Sequence, residues 1–146
     1  MYKHILVPTD GSELSFKAAK AAAELASTLD AKVTAVYVIA DYMPPYVSED
    51  VMMYNEAMSP ERYRKATEKL AKDALAKLEK AAGRKVDKVF LTNDQPWRGI
   101  IDTAKAKKCD LIVMASHGRK GLSGLIIGSE TNKVLTHSKT PVLVCR

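Results

Sequence analysis

Leu111-Ile112-Val113-Met114-Ala115-Ser116-His117-Gly118-Arg119-Lys120-Gly121-Leu122-Ser123-Gly124 is the stretch on which the fold turns, completed by Gly128-Ser129-Glu130-Thr131. Its first four side chains are all large and apolar, without polar alternation, as expected of a strand covered on both faces. Small and polar residues then stop the strand. Four of the chain's seven glycines, Gly118, Gly121, Gly124 and Gly128, fall in this interval, and a helical pattern opens at Ser129. Strand, glycine-rich loop and helix make one βα step of a parallel sheet.

Working outward, the same step is found near the start, where Ile5-Leu6-Val7 runs into Pro8-Thr9-Asp10-Gly11-Ser12. Ser12 suits an N-cap, and Glu13 sits where a helix dipole favours an anion. Across the chain the order is βαβαβαβαβ, with strands at 4–7, 32–40, 85–92, 110–115 and 141–145. Helices are expected from 13 to about 28, 60 to 83, about 96 to 107, and 129 to about 137. The second helix opens Ser59-Pro60-Glu61, a cap followed by proline at the first helical position. Its expected buried stripe is Tyr63, Ala66, Leu70, Ala74, Leu78 and Ala81. The third is expected to bury Ile100, Ile101 and Ala104. Right-handed crossovers with helices on both faces give a three-layer α/β sandwich with a five-stranded parallel sheet of order 3-2-1-4-5.

The 146 residues suit one domain spanning 1–146, with 47% hydrophobic and 27% charged side chains. The net charge of +6 concentrates on the second helix, which carries nine basic and four acidic side chains between 60 and 85. A solvated helix face accounts for that better than a nucleic-acid groove, and at 6% aromatics there are few platforms for stacked bases. No apolar run is long enough to cross a bilayer, and the opening residues carry no secretory signal, so a cytoplasmic location with no membrane partner is expected. Cys109 and Cys145 lack C-x-x-C spacing and read as reduced thiols. Residues 41–58, with Pro44-Pro45 and four methionines, read as a long loop or as an arm over a neighbouring surface.

In such sheets ligands bind beyond the carboxyl ends of the strands where the winding reverses, here between the first and fourth strands. Both polar turns lie there. Backbone N–H groups at the helix opening Gly128-Ser129-Glu130-Thr131 make an anion cradle, with Ser129 and Thr131 adding hydroxyls and Arg119 and Lys120 within reach of phosphate oxygens. Asp10 is placed for a ribose hydroxyl or for a divalent metal such as Mg carried in by phosphates. Each residue also has a plain alternative, as a cap, a turn former or a loop glycine. The P-loop pattern is absent, because Gly128 is followed directly by Ser129, and no G-x-G-x-x-G follows the first strand. Asp10, His117 and Ser129 lack the G-x-S-x-G setting of a hydrolase triad, and His4 and His137 have no metal-ligand spacing.

These motifs resemble the universal stress protein family, in its ATP-binding branch. Pro8-Thr9-Asp10-Gly11-Ser12 after an apolar strand is similar to the family opening P-x-D-G-S. Ala115-Ser116-His117-Gly118, nine residues, then Gly128-Ser129 aligns with G-x2-G-x9-G-[ST], and Pro141-Val142-Leu143-Val144 matches the closing strand. The resemblance implies flavodoxin-like subunits of the adenine nucleotide alpha hydrolase-like type, paired as a homodimer through strand 141–145. It implies ATP, or AMP or ADP, with Mg, held among Pro8, Thr9, Asp10, Val38, Met114, Ala115, His117, Gly118, Arg119, Gly121, Gly128, Ser129, Glu130 and Thr131. In that arrangement the Val38 backbone meets adenine, Asp10 and position 115 the ribose, and Gly118, Gly128, Ser129 and Glu130 the phosphates. The chain departs from the pattern at Ala115, which replaces the first motif glycine; the methyl is costly if the position needs positive φ and harmless if it stays β-like. A regulatory, stress-responsive role with an unidentified protein partner and no required turnover follows from the likeness. A nucleotide-free scaffold acting through strand 141–145 and the 41–58 arm, and a slow ATP hydrolase with Asp10 positioning metal, are the alternatives.

Overall fold

The computed structural model describes residues 1–40, 60–118 and 127–146. Five strands, β1 (His4–Pro8), β2 (Lys32–Ala40), β3 (Asp87–Asn93), β4 (Leu111–Ala115) and β5 (Val142–Cys145), form one sheet of order β3-β2-β1-β4-β5. Every neighbouring pair is parallel. Among the described residues the helices are α1 (Glu13–Leu29), α2 (Pro60–Ala82), α3 (Pro96–Ala106) and α4 (Ser129–His137). The expected order and element sequence are borne out.

Strand side chains alternate between two cores. Ile5, Val7, Val33 and Val113 pack with α1 and α2, whereas Leu6, Val36 and Ile112 pack with Ile100 of α3 and Val134 of α4. On α1 the buried face is Ser15 and five alanines, so the helix axis lies close to the sheet. Ser12 caps α1 by accepting from the Ser15 N–H at 3.3 Å, and Asp30 ends it in the left-handed conformation with its N–H on the Ala26 carbonyl.

The stripe expected on α2 needs correction. Ala71, Ala74, Leu75 and Leu78 are the buried residues, whereas Tyr63 and Leu70 are 45% and 52% exposed and Ala66 and Ala81 are exposed. Ala74 and Leu78 are common to the expected and observed stripes, whereas Leu75, packed with Leu78 in the same core as Ala19, Ala22 and Ala26 of α1, is buried in place of Tyr63 and Leu70. On α3, Ile100 and Ala104 are buried as expected, while Ile101 is only half-buried.

Cys109 is buried and Cys145 half-buried, and neither is bridged. Burial, reinforced by the neighbouring Asp110 carboxylate, pushes the Cys109 thiol up to about 11, so it remains protonated at neutral pH. No helix among the described residues is long and apolar enough to cross a membrane. The 41–58 segment and the Ser59 cap lie outside the described residues.

Candidate functional site

The β1–β2 ladder ends at a bond from the Thr9 N–H to the Val36 carbonyl, 2.9 Å long, after which the chain leaves the sheet. Side chains hold the turn that follows. The Thr9 and Ser15 hydroxyls lie 2.7 Å apart, the Gly11 N–H donates to Thr9 Oγ1 at 3.0 Å, and the Ser12 N–H donates to Asp10 Oδ1 at 3.0 Å. Gly11 has φ of 81°, a conformation that its lack of a side chain permits. Because in-plane backbone direction repeats every second residue, Val38 turns its N–H and C=O the same way as Val36, but beyond the end of β1. That places one donor and one acceptor on the rim of the crevice.

The second turn is pinned at both ends. At its start the Ser116 N–H donates to the Cys145 carbonyl at 2.7 Å, and the Gly128 N–H returns to the Ser116 carbonyl, also at 2.7 Å. Gly128 is the N-cap of α4 with φ of −60° and ψ of 153°, and among the described residues no side-chain cap bond is made here. The N–H groups of Ser129, Glu130 and Thr131 therefore have no partner within their own helix, which is the arrangement that accepts an anion. Gly128 is fixed by crowding rather than by φ: a Cβ would stand 3.1 Å from His117 Cα and 3.3 Å from the Ser116 carbonyl oxygen. At Gly118 a Cβ would run into Asp10 Oδ2, so the first and second turns are in contact.

Between these turns and the C-terminal ends of the strands lies a cleft of about 600 Å³, within the range of roughly 300–1,000 Å³ typical of small-ligand sites. Its walls include Pro8, Thr9 and Asp10 from the first turn, Val38 from β2, and Met114 and Ala115 from β4. His117, Gly118, Gly128, Ser129, Glu130 and Thr131 close the other side. Twelve of the fourteen residues expected at the site thus meet in one crevice; Arg119 and Gly121 lie outside the described residues. Ala115 belongs to β4, and the non-glycine residues with positive φ among those described are Asp30 and Lys108. Position 115 therefore keeps a β-like backbone and does not adopt positive φ.

Two side chains have partners that the sequence reading did not anticipate. Thr131 Oγ1 donates to the Ala115 carbonyl at 2.9 Å and clasps α4 to β4, so its hydroxyl proton is already committed. Glu130 Oε2 accepts from the Trp97 N–H in the first turn of α3 at 2.9 Å, while Oε1 pairs with Lys133 at 3.1 Å. The Glu130 carboxylate thereby compensates an α3 N-terminus for which Gln95 provides no side-chain cap, leaving the Glu130 backbone N–H as its contribution to the crevice. Among the described residues no group of three or more His, Cys, Asp or Glu side chains is arranged to hold a metal.

Sequence reasoning missed Tyr63, Thr67 and Leu70 of α2, and Pro96 and Ile100 of α3, which also line the cleft. The signal at α2 was the i, i+4, i+7 spacing of those three residues; the stripe analysis assigned Tyr63 and Leu70 to the core and passed over Thr67.

A family model described as the universal stress protein family matches residues 1–146. Universal stress protein MJ0531 of Methanocaldococcus jannaschii is 35% identical over 149 residues, covering all of this chain and 83% of its own length. Among solved structures, hypothetical protein MJ0577 of the same organism superposes with a TM-score of 0.76 at 31% identity, covering 99% of this chain and 96% of its own. The universal stress protein from Archaeoglobus fulgidus in complex with dAMP superposes with a TM-score of 0.66, covering 99% and 98%; at 19% identity it shows likeness of fold.

Proposed function

The chain belongs to the universal stress protein family, and on that premise we propose that it binds an adenine nucleotide in the cleft between β1 and β4. One observation carries the reading: Asp10 and Gly118 touch where β1 and β4 release the chain, beside a crevice lined by the α4 N-terminus, whose first N–H groups have no partner within their helix, and by Val38. The pairing chemistry follows. The Val38 N–H and C=O match the acceptor and donor of adenine's Watson–Crick edge, and the opening turn of α4 suits phosphate. The A. fulgidus protein of like fold holds dAMP, which shares the base and one phosphate.

ATP is the nucleotide of this reading, with ADP and AMP as its shorter relatives and Mg accompanying the phosphates beside Asp10. When bound, Mg would offset the charge of the phosphates against that carboxylate. The chain acts as a regulatory homodimer of the cytoplasm in the stress response, pairing through β5. Support for the pairing comes from β5 being an edge strand with Leu143 45% exposed.

Calorimetric titration with Mg-ATP tests the binding: saturable heat with one nucleotide per chain is expected. No heat at millimolar ATP would remove the reading, and sedimentation giving a monomer at micromolar chain would remove the dimer alone.

A further inference from the structure

The first three turns of α2 are built differently from the rest of the helix. None of residues 60–70 is buried, whereas Ala71, Ala74, Leu75 and Leu78 anchor the remainder to α1 and the sheet. Tyr63 and Leu70 are 45% and 52% exposed, although with Thr67 they line the cleft. The Thr67 hydroxyl bonds the carbonyls of Tyr63 and Arg64, so its one proton is spent within the helix. Val38, Ile100 and Met114, from the core shared with α3 and α4, also line it. The cleft thus combines apolar side chains of α2, β2, α3 and β4 with the Asp10 turn and the α4 N-terminus.

We propose that the base of the bound nucleotide occupies the space under Tyr63 and Leu70, and that nucleotide occupancy thereby stabilises the N-terminal half of α2. This rests on the nucleotide-binding reading above and adds a nucleotide-dependent element to it. The physical argument is that a helix draws most of its stability from packing an apolar face, and that this half has no buried face of its own. A purine is flat, largely apolar and attached to a phosphate-bearing sugar, so it matches a cleft that joins apolar walls to an anion-accepting helix start. Closing over it removes two large side chains from water. The exposed residues 60–70 would then respond to the ligand, whereas the anchored half from Ala71 onward would not.

Amide hydrogen exchange on the full chain, with and without saturating ATP, reads this directly. Protection of amides 63–70 should rise at least about tenfold with ATP, and inorganic tripolyphosphate at the same concentration should leave them unchanged. The double variant Tyr63→Ala/Leu70→Ala, at two exposed positions, should melt within a degree or so of wild type without nucleotide, yet bind ATP about tenfold more weakly. ATP that binds wild type without altering exchange at 63–70, or binds the variant equally well, would overturn the proposal and leave the binding reading intact. A wild-type chain that binds no ATP would overturn both.

Discussion

At the scale of single residues, the positions that matter are those where one methyl group meets a fixed neighbour. Gly118→Ala would place its Cβ against the Asp10 carboxylate. That should part the two turns and weaken ATP binding at least about tenfold, roughly 1.4 kcal/mol. Ala115→Gly is the informative partner. Ala115 already has a strand backbone with negative φ, so restoring the motif glycine should leave affinity within about twofold and cost about 0.5–1 kcal/mol of stability. Parallel titrations and melts check both, and equal affinities for Gly118→Ala and wild type would contradict the contact. At the opposite end of the sheet, burial opposes ionisation of Asp110. The N–H groups of His4 and Lys3, donating at 2.9 and 2.8 Å, outweigh it and hold the carboxyl below its usual 3.8. A depressed folded value means that this stabilisation is complete above the unfolded pKa and lost as pH falls through the folded one. Asp110→Ala should therefore cost about 1 kcal/mol near neutral pH, with the gap from wild type narrowing below about pH 3.8 in urea melts.

At the scale of elements, the close fit of α3 on the sheet depends on Gly99, where a Cβ would stand 2.9 Å from Val38 Cγ1 and 3.3 Å from Leu91 Cδ1. Gly99→Ala should lift α3 or turn the Val38 side chain. The expected cost is about 1–3 kcal/mol, with weaker ATP binding because Val38 is also a cleft wall. Denaturation and titration of the same variant report the two effects, and an unchanged midpoint would contradict the packing. Elements were legible in the sequence where local chemistry decides them. Ser12 and Pro60 marked helix openings, and Ile5-Leu6-Val7 and Leu111-Ile112-Val113-Met114 marked doubly covered strands. The face of α2 was less legible, because two overlapping apolar stripes both fit a 3.6-residue period. Ala74 and Leu78 fit both, and Leu75 joined Leu78 in the core with Ala19, Ala22 and Ala26 of α1, a tertiary effect that the size of Tyr63 and Leu70 concealed. The partners of Thr131 and Glu130 were hidden for a similar reason, since the Ala115 carbonyl and the Trp97 N–H arrive from other elements.

At the scale of the whole molecule, the crevice follows from topology. The sheet winds from β1 outward through β2 and β3, then reverses to β4 and β5, so no crossover covers the gap where β1 and β4 release their chains. Order 3-2-1-4-5 and the meeting of the two turns were therefore readable from the sequence of elements. The apolar lining of the cleft was not, because residues far apart in sequence form it. A ligand that binds this crevice and not the unfolded chain raises stability by RT ln(1 + [L]/Kd), about 2.7 kcal/mol at a hundredfold excess over Kd. Cocrystallisation with Mg-ATP is the most direct test of the account. Density is expected with the phosphates at the N–H groups of Ser129, Glu130 and Thr131 and the base beside Val38; nucleotide bound elsewhere, or that crevice filled by the chain's own side chains, would contradict it.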